Sequence, residues 1–543
     1  MMLPTLAAFP AAASVDRTSA LHAYARGRLA DSDGAPVKAL RNYRDALASD
    51  PARIEVARRA YLQGIISGDM ALAMRSAKLL DSSGVLPRDG TLLFLCDAMA
   101  RRDWDEARQA ADRMAGEGNF GFLARIVRSW IAVGEGKVAP PEIDPGDRYA
   151  SLARRYIDEH VALQALGRGE MAEAEPAINR ALALRTVDLA ELRLTFAAQL
   201  AGRGAKAQAL ALLPQGQAAY ARARADVARG RKGGAASRAL TPAQGFGRLL
   251  ARLAADISSD ESTRMLGIRL ARIASFANPG RADNALALAQ LLTEAGYADH
   301  AATEARKVAS DGWFGSLGRA ALVDALAASG DMDGALTLAR ALASAEGADT
   351  DRLVRLGQLQ AQAKDFNGAA EAFRSAEQRY PADVVPWTLL LFQGSALEQA
   401  GRWDEARVVL ERAAKRAPEE PVVLNYLGYA QVERRQNVAA ALELLKKANS
   451  LKPEDASITD SLGWAQFVTG DVESAVPVLE RAAQGAPTDA TINEHLGDAL
   501  WAAGRRYEAR YAWRAASVFA EGEAAVRLNG KVKEGMKPEY AAP

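Results

Sequence analysis

Small and closing residues recur at a fixed interval of 34 residues near the end of the chain. Leu462, Gly463, Ala475, Leu479 and Ala482 are answered by Leu496, Gly497, Ala509, Trp513 and Ala516. Self-similarity at this period marks helix-turn-helix units that cannot bury their apolar faces alone and must stack on one another. The period therefore predicts an all-α chain, an α-solenoid of stacked helix-turn-helix repeats forming a superhelix.

Composition agrees. Aromatic residues are only 6% of the chain while alanine abounds, which suits thin helix-helix interfaces better than strands, where β-branched and aromatic side chains prevail. The 543 residues need no single large core, because an array grows by adding nearest-neighbour interfaces. With 68 basic and 67 acidic side chains the formal charge is +1, so no global field draws in a polyanion and no nucleic-acid partner is expected.

Three units open the chain over residues 20–121, starting near Ala20, Ile54 and Arg88. In the first, Gly27 lies on the leading helix, Ala39, Tyr43 and Ala46 on the second, and Pro51 ends it by its missing N–H and fixed φ. Over residues 122–281 the period fades to degenerate helical repeats, interrupted by the Gly/Pro-rich run Gly134 to Gly146. An arginine-rich stretch there, Arg222, Arg224, Arg229, Arg231, Lys232 and Arg238 against Asp226, reads as a solvated helix face or as an anion or membrane-surface contact. Seven more units span residues 282–523, with starts at Ala282, Ser316, Thr350, Trp387, Pro421, Ala456 and Ala490. The Thr350 unit carries extra residues around Pro381 to Pro386. Residues 524–543 are expected to be a tail.

The lone Cys96 excludes an intramolecular disulfide and reads as a small buried apolar residue. No apolar run reaches the ~20 residues of a membrane span. Residues 1–14, with an apolar stretch and then Ala11-Ala12-Ala13, look like the end of a secretory signal or a disordered terminus; the basic n-region is missing.

Little in the chain suggests chemistry. The four histidines, His22, His160, His300 and His495, lack ligand-like spacing, so no metal is expected. Gly116 to Gly121 satisfies a dinucleotide pattern but follows a helical repeat rather than the strand that gives those glycines their purpose. There is no phosphate loop and no Gly-x-Ser-x-Gly elbow. The expectation is a protein that is not an enzyme and binds no cofactor.

The order Leu-Gly on a first helix, Ala on the second, a large residue four later, Ala three beyond and a closing Pro resembles the tetratricopeptide repeat family, most clearly from Thr350 to Glu521. More narrowly, Leu424 to Tyr429, Ile458 to Trp464 and Ile492 to Asp498 look like the C-terminal half of large bacterial envelope tetratricopeptide proteins. That group includes a lipoprotein partner of a carboxyl-terminal processing protease. The resemblance implies a scaffold or adaptor in the periplasm or at the outer membrane, with peripheral membrane association, recruiting a protease or peptidoglycan-modifying enzyme. A cytosolic assembly scaffold and a regulatory subunit of an enzyme complex remain the alternatives. In that family the first-helix face lines a concave groove for a peptide or helix of another protein. Positions four and then three apart share one helix face. They align Asn425, Tyr429 and Val432; Asp460, Trp464 and Phe467; and Glu494, Asp498 and Trp501 as the expected protein-binding groove. Its acids and aromatics would suit an amphipathic or basic segment. Trp464 and Trp501 would equally serve as packing between units.

Overall fold

The computed structural model describes residues 16–118, 120–142, 150–183, 190–308, 312–345 and 347–541. The signal-like residues 1–14 and part of the Gly134 to Gly146 break lie outside the described residues. The described residues form α-helices, joined by turns and a few short 3-10 segments, and contain no strand. No described helix is long and apolar enough to cross a membrane. Two compact units result, Met1–Asp349 and Thr350–Pro543.

Turn chemistry sets the helix ends. Gly68, Gly330 and Gly470 follow first helices with φ of 81°, 85° and 88°, a region open to glycine at no steric cost. The next residue in each case, Asp69, Asp331 or Asp471, accepts a backbone N–H of the following helix and caps it.

In the first unit α1 (Arg17–Ser32) pairs with α2 (Pro36–Ser49), α3 (Ile54–Ser67) with α4 (Met70–Ser82), and α5 (Arg88–Arg101) with α6 (Trp104–Gly116). There follow α7 (Ala124–Gly134), α8 (Ala150–Arg168), α9 (Met171–Ala183), α10 (Ala190–Gly202), α11 (Lys206–Ala211) and α12 (Ala218–Ala228). The unit ends with α13 (Pro242–Ile257), α14 (Glu261–Ala277), α15 (Ala282–Glu294), α16 (Ala298–Arg306), α17 (Gly315–Ala328) and α18 (Met332–Ser344).

This unit is not a linear stack. The hairpin α13–α14 returns to pack on α3, α5 and α7. Arg269 donates to Asp89 at 2.8 Å, and Asp89 also accepts from the Tyr61 hydroxyl at 2.9 Å. Arg272 donates to the Ile66 carbonyl at 2.8 Å and pairs with Glu304 at 2.5 Å. Cys96 is fully buried, its thiol 3.6 Å from the Ile273 carbonyl and pushed up in pKa by burial, which leaves it an inert core residue. The arginine-rich stretch is partly consumed within the fold. Arg222 pairs with buried Asp226 at 2.9 Å, Arg231 lies 3.6 Å from it, and Arg224 donates to the Leu213 carbonyl.

A buried ionic cluster ties α8, α10, α13 and α15 together. Arg248, 3% exposed, donates to Glu159 at 2.5 Å and to Glu191 and Asp283 at 2.7 Å each. Arg252 pairs with Glu191 at 2.9 Å, and Arg281 with Asp283 at 2.9 Å. Burial would raise the Asp283 carboxyl, but Arg281 and Arg248 outweigh it and hold it at about 2.

Beside the cluster His160 accepts the Trp130 indole N–H on Nδ1 at 2.9 Å, which requires a neutral ring. Burial pushes its pKa down to about 4 despite Glu159. The unfolded chain therefore takes up the proton first, below about 6.5. Stability should be fully present above pH ~6.5 and decline by ~3 kcal/mol as pH falls towards ~4. Melting of His160→Gln should lack that decline, and matching wild-type and variant profiles would contradict the assignment.

The second unit is regular. Its pairs are α19 (Thr350–Gln362) with α20 (Phe366–Glu377), α21 (Trp387–Gln399) with α22 (Trp403–Arg416), and α23 (Pro421–Glu433) with α24 (Val438–Leu451). Then come α25 (Ala456–Val468) with α26 (Val472–Gly485), and α27 (Ala490–Ala502) with α28 (Arg506–Phe519). Each second helix buries two alanines seven apart, such as Ala441 and Ala448 or Ala475 and Ala482, all without exposure.

A first-helix glycine receives the large residue of the partner helix: Phe373 on Gly357, Leu410 on Gly394, Leu479 on Gly463 and Trp513 on Gly497. The close approach at Gly463 is thus to Leu479. A Cβ on Gly497 would lie 2.3 Å from Trp513, whose indole is fully buried and pinned at 2.8 Å to Asp498. Gly497→Ala should cost roughly 1–3 kcal/mol by overpacking. An unchanged melting temperature would mean the ring can move aside.

The described part of the expected tail, residues 524–541, is structured. Most of a further helix, α29 (Gly522–Glu534), lies there and packs on α28, with Leu528 and Lys531 fully buried. An ion cluster explains how a lysine comes to be inside.

Candidate functional site

The first helices α23, α25 and α27 carry the face expected to bind protein. Of its nine residues Val432, Asp460, Trp464, Glu494 and Asp498 are buried, and Asn425, Tyr429, Phe467 and Trp501 are half-buried.

At the α27 end the face is closed by the chain itself. Glu494 takes two bonds from Arg527 at 2.8 Å and one from the Lys531 ammonium at 2.6 Å. Asp498 accepts from Lys531 with both oxygens at 2.8 Å, and from Trp513. Burial works to raise the Glu494 carboxyl, yet Arg527 and Lys531 hold it below the usual range. At the more enclosed Asp498 burial wins and the pKa rises. Trp501 packs 5.3 Å from Trp513, under Arg506 and Arg510. The acids expected to face a basic segment of another protein here meet two basic residues of α29.

One repeat earlier, Asp460 Oδ2 accepts from His495 Nδ1 at 2.9 Å, and Trp464 stacks on the His495 ring with centroids 3.9 Å apart. Phe467 lies 5.1 Å from Trp464. The other Asp460 oxygen, Oδ1, is buried and has no hydrogen-bond partner among the described residues, and neither has Asn425 Oδ1 on the neighbouring α23. Burial, then the carboxylates of Glu433, Asp460 and Glu398, push the Tyr429 phenol up, so it stays a neutral donor. Tyr426 closes the α21 side, its hydroxyl donating to Glu398 at 2.5 Å and accepting from Ser395 at 2.9 Å.

The open part of the face is therefore Asn425, Tyr429 and Phe467, with Asp460 behind them. His495, Arg527 and Lys531 escape a reading of the first-helix face alone. The one signal was spacing: Arg527 and Lys531 are four apart, as are Glu494 and Asp498.

A second concavity of 650 Å³ lies between α20 and α22, with Gln393 and Leu397 of α21 among its walls and Val385, Val408 and Val409 giving it an apolar lining. The extra residues at Pro381 to Pro386 contribute to its edge, held by Arg416, which donates to the Asp383 carbonyl at 2.7 Å.

Residues 360–428 match the tetratricopeptide repeat family model. Over 156 residues, 28% of this chain, the sequence is 32% identical to the TPR repeat-containing protein PA4667 of Pseudomonas aeruginosa. The match spans about a quarter of that relative's length, 25%. Among solved structures, TTC0263, a thermophilic TPR protein of Thermus thermophilus, is 19% identical, covering 33% of this chain and 97% of its own, with a TM-score of 0.29. The crystal structure of MamA is 22% identical, covering 30% and 92%, with a TM-score of 0.26. The matched stretch lies in the second unit, whose helix pairs from α21–α22 to α27–α28 frame the first-helix face.

Proposed function

We propose that the chain is a non-catalytic protein-binding scaffold whose second unit takes a segment of another protein against Asn425, Tyr429, Asp460 and Phe467. One observation carries this reading. Asn425 Oδ1 and Asp460 Oδ1, on adjacent first helices, are buried acceptors with no partner among the described residues, beside a half-buried tyrosine and phenylalanine. A buried polar group left unpaired costs free energy, and a bound segment that donates to both, as their side chains turn to meet it, would recover it. The aromatic pair supplies the apolar anchor typical of interface hot spots.

The repeat match and the 32% identical Pseudomonas aeruginosa protein support a scaffold. The resemblance of the Leu-Gly runs to envelope proteins, with the signal-like residues 1–14, supports a place in the bacterial cell envelope. Recruitment of a protease or a peptidoglycan-modifying enzyme is the role this reading assigns. Asn425→Ala with Tyr429→Ala should abolish retention of the principal protein captured from membranes by the wild-type chain, a loss of roughly 2 kcal/mol or more. Helicity and melting should persist, since both side chains are half-exposed. Normal retention by the folded variant would move the site elsewhere, and recovery of the chain in the cytosolic fraction alone would remove the envelope assignment.

A further inference from the structure

The outer face of α28 reverses the usual pattern of a surface helix. Its inner face buries Ala509, Ala512, Trp513 and Ala516. Directly opposite stand Tyr507, Tyr511 and Val518, 85%, 68% and 73% exposed, on a stripe about 16 Å long. With Val526 of α29, 73% exposed, they are the four most exposed large hydrophobic side chains among the described residues, and Phe519 extends the patch.

Arg506, Arg510 and Arg514 run alongside, one helical turn apart. None of the three pairs with a carboxylate among the described residues. Arg510 donates to the Val532 carbonyl, Arg506 and Arg510 lie over the Trp501 ring, and Arg514 over Tyr511. The helix's Glu508 is already bound to Arg505.

We infer that this face docks on an anionic lipid surface. Tyrosine rings sit at the headgroup level of a bilayer, with an apolar body and a polar tip. Guanidinium groups take phosphate oxygens in pairs. A row of three, about 12 Å long, beside the longer apolar stripe matches a continuous field of phosphates over acyl chains. A second copy of the chain fits poorly, because it would bring the two arginine rows face to face. The concavity that could take a side chain of another protein lies elsewhere, between α20 and α22. The inference does not rest on the proposed groove.

The test is flotation of the full chain with vesicles of equal parts phosphatidylglycerol and phosphatidylcholine, against vesicles of phosphatidylcholine alone. Binding should be confined to the anionic vesicles and be released as salt shortens the Debye length to ~3 Å near 1 M. Arg506→Glu with Arg514→Glu, and separately Tyr507→Ser with Val518→Ser, should each lower the bound fraction about tenfold. Both pairs stand in solvent, so far-UV helicity should not change. Lysine at both arginine positions should restore most of the binding. No flotation, equal flotation with neutral vesicles, or wild-type flotation of both variants would overturn the inference. So would dimerisation, or capture of an acidic soluble protein, that the same variants abolish while vesicles remain unbound.

Discussion

Arg248→Met is expected to destabilise the first unit by roughly 3–5 kcal/mol, the cost of leaving a buried ion group with one partner removed. Arg248 reaches Glu159, Glu191 and Asp283 from a site 3% exposed. The cluster balances three carboxylates against Arg248, Arg252 and Arg281. Methionine keeps much of the volume and removes the charge, so the effect isolates electrostatics from packing. The excess negative charge should push a cluster carboxyl up, so the unfolding penalty should shrink as pH falls and that group takes a proton. Thermal or urea unfolding of the two forms at neutral and mildly acidic pH is the measurement. A loss under about 1 kcal/mol, or one independent of pH, would mean Arg252 and Arg281 rearrange to cover the gap.

That cluster also marks where sequence reasoning stops. Ala441, Ala448, Ala475 and Ala482 are fully buried, and their spacing of seven is visible within each 34-residue repeat of the second unit. Local periodicity therefore reveals the all-α repeat architecture. The return of α13–α14 onto α3 and α5 joins Arg269 to Asp89 and Arg272 to Ile66 across 180 and 206 residues. A contact of that range leaves no periodic trace. Each arginine looks like an ordinary solvated residue until its partner is found.

The candidate face was legible in the same uneven way. Helix spacing collects Asn425, Tyr429 and Phe467 on one side, because that follows from geometry alone. Which of the nine stay open depends on neighbours supplied by other helices. His495 covers Trp464 and engages Asp460, while Arg527 and Lys531 neutralise Glu494 and Asp498. A carboxylate on a first helix looks solvent-facing in sequence. Only a lysine 33 and 37 residues further on reveals that Asp498 and Glu494 are interior.

Lys531→Met should therefore unlatch α29 and cost roughly 3–5 kcal/mol, comparable to the loss of any buried ion partner. The ammonium, without exposure, is the one cation touching Asp498 among the described residues, whereas Glu494 keeps the paired bonds of Arg527. Asp498 is already raised in pKa by burial and should climb further in the variant. Its folded pKa would then stand well above its unfolded value, so the folded state binds the proton more tightly and stability is regained as pH falls. Lys531→Met with Asp498→Asn should recover much of the loss at neutral pH, since an amide can still accept from the Trp513 indole. Hydrogen exchange should show fast opening of residues 522–534 in the single variant and slow opening in the double one. If the single variant keeps wild-type protection there, the ion cluster does not hold the last helix in place, and the apolar contacts of Leu528 do so instead.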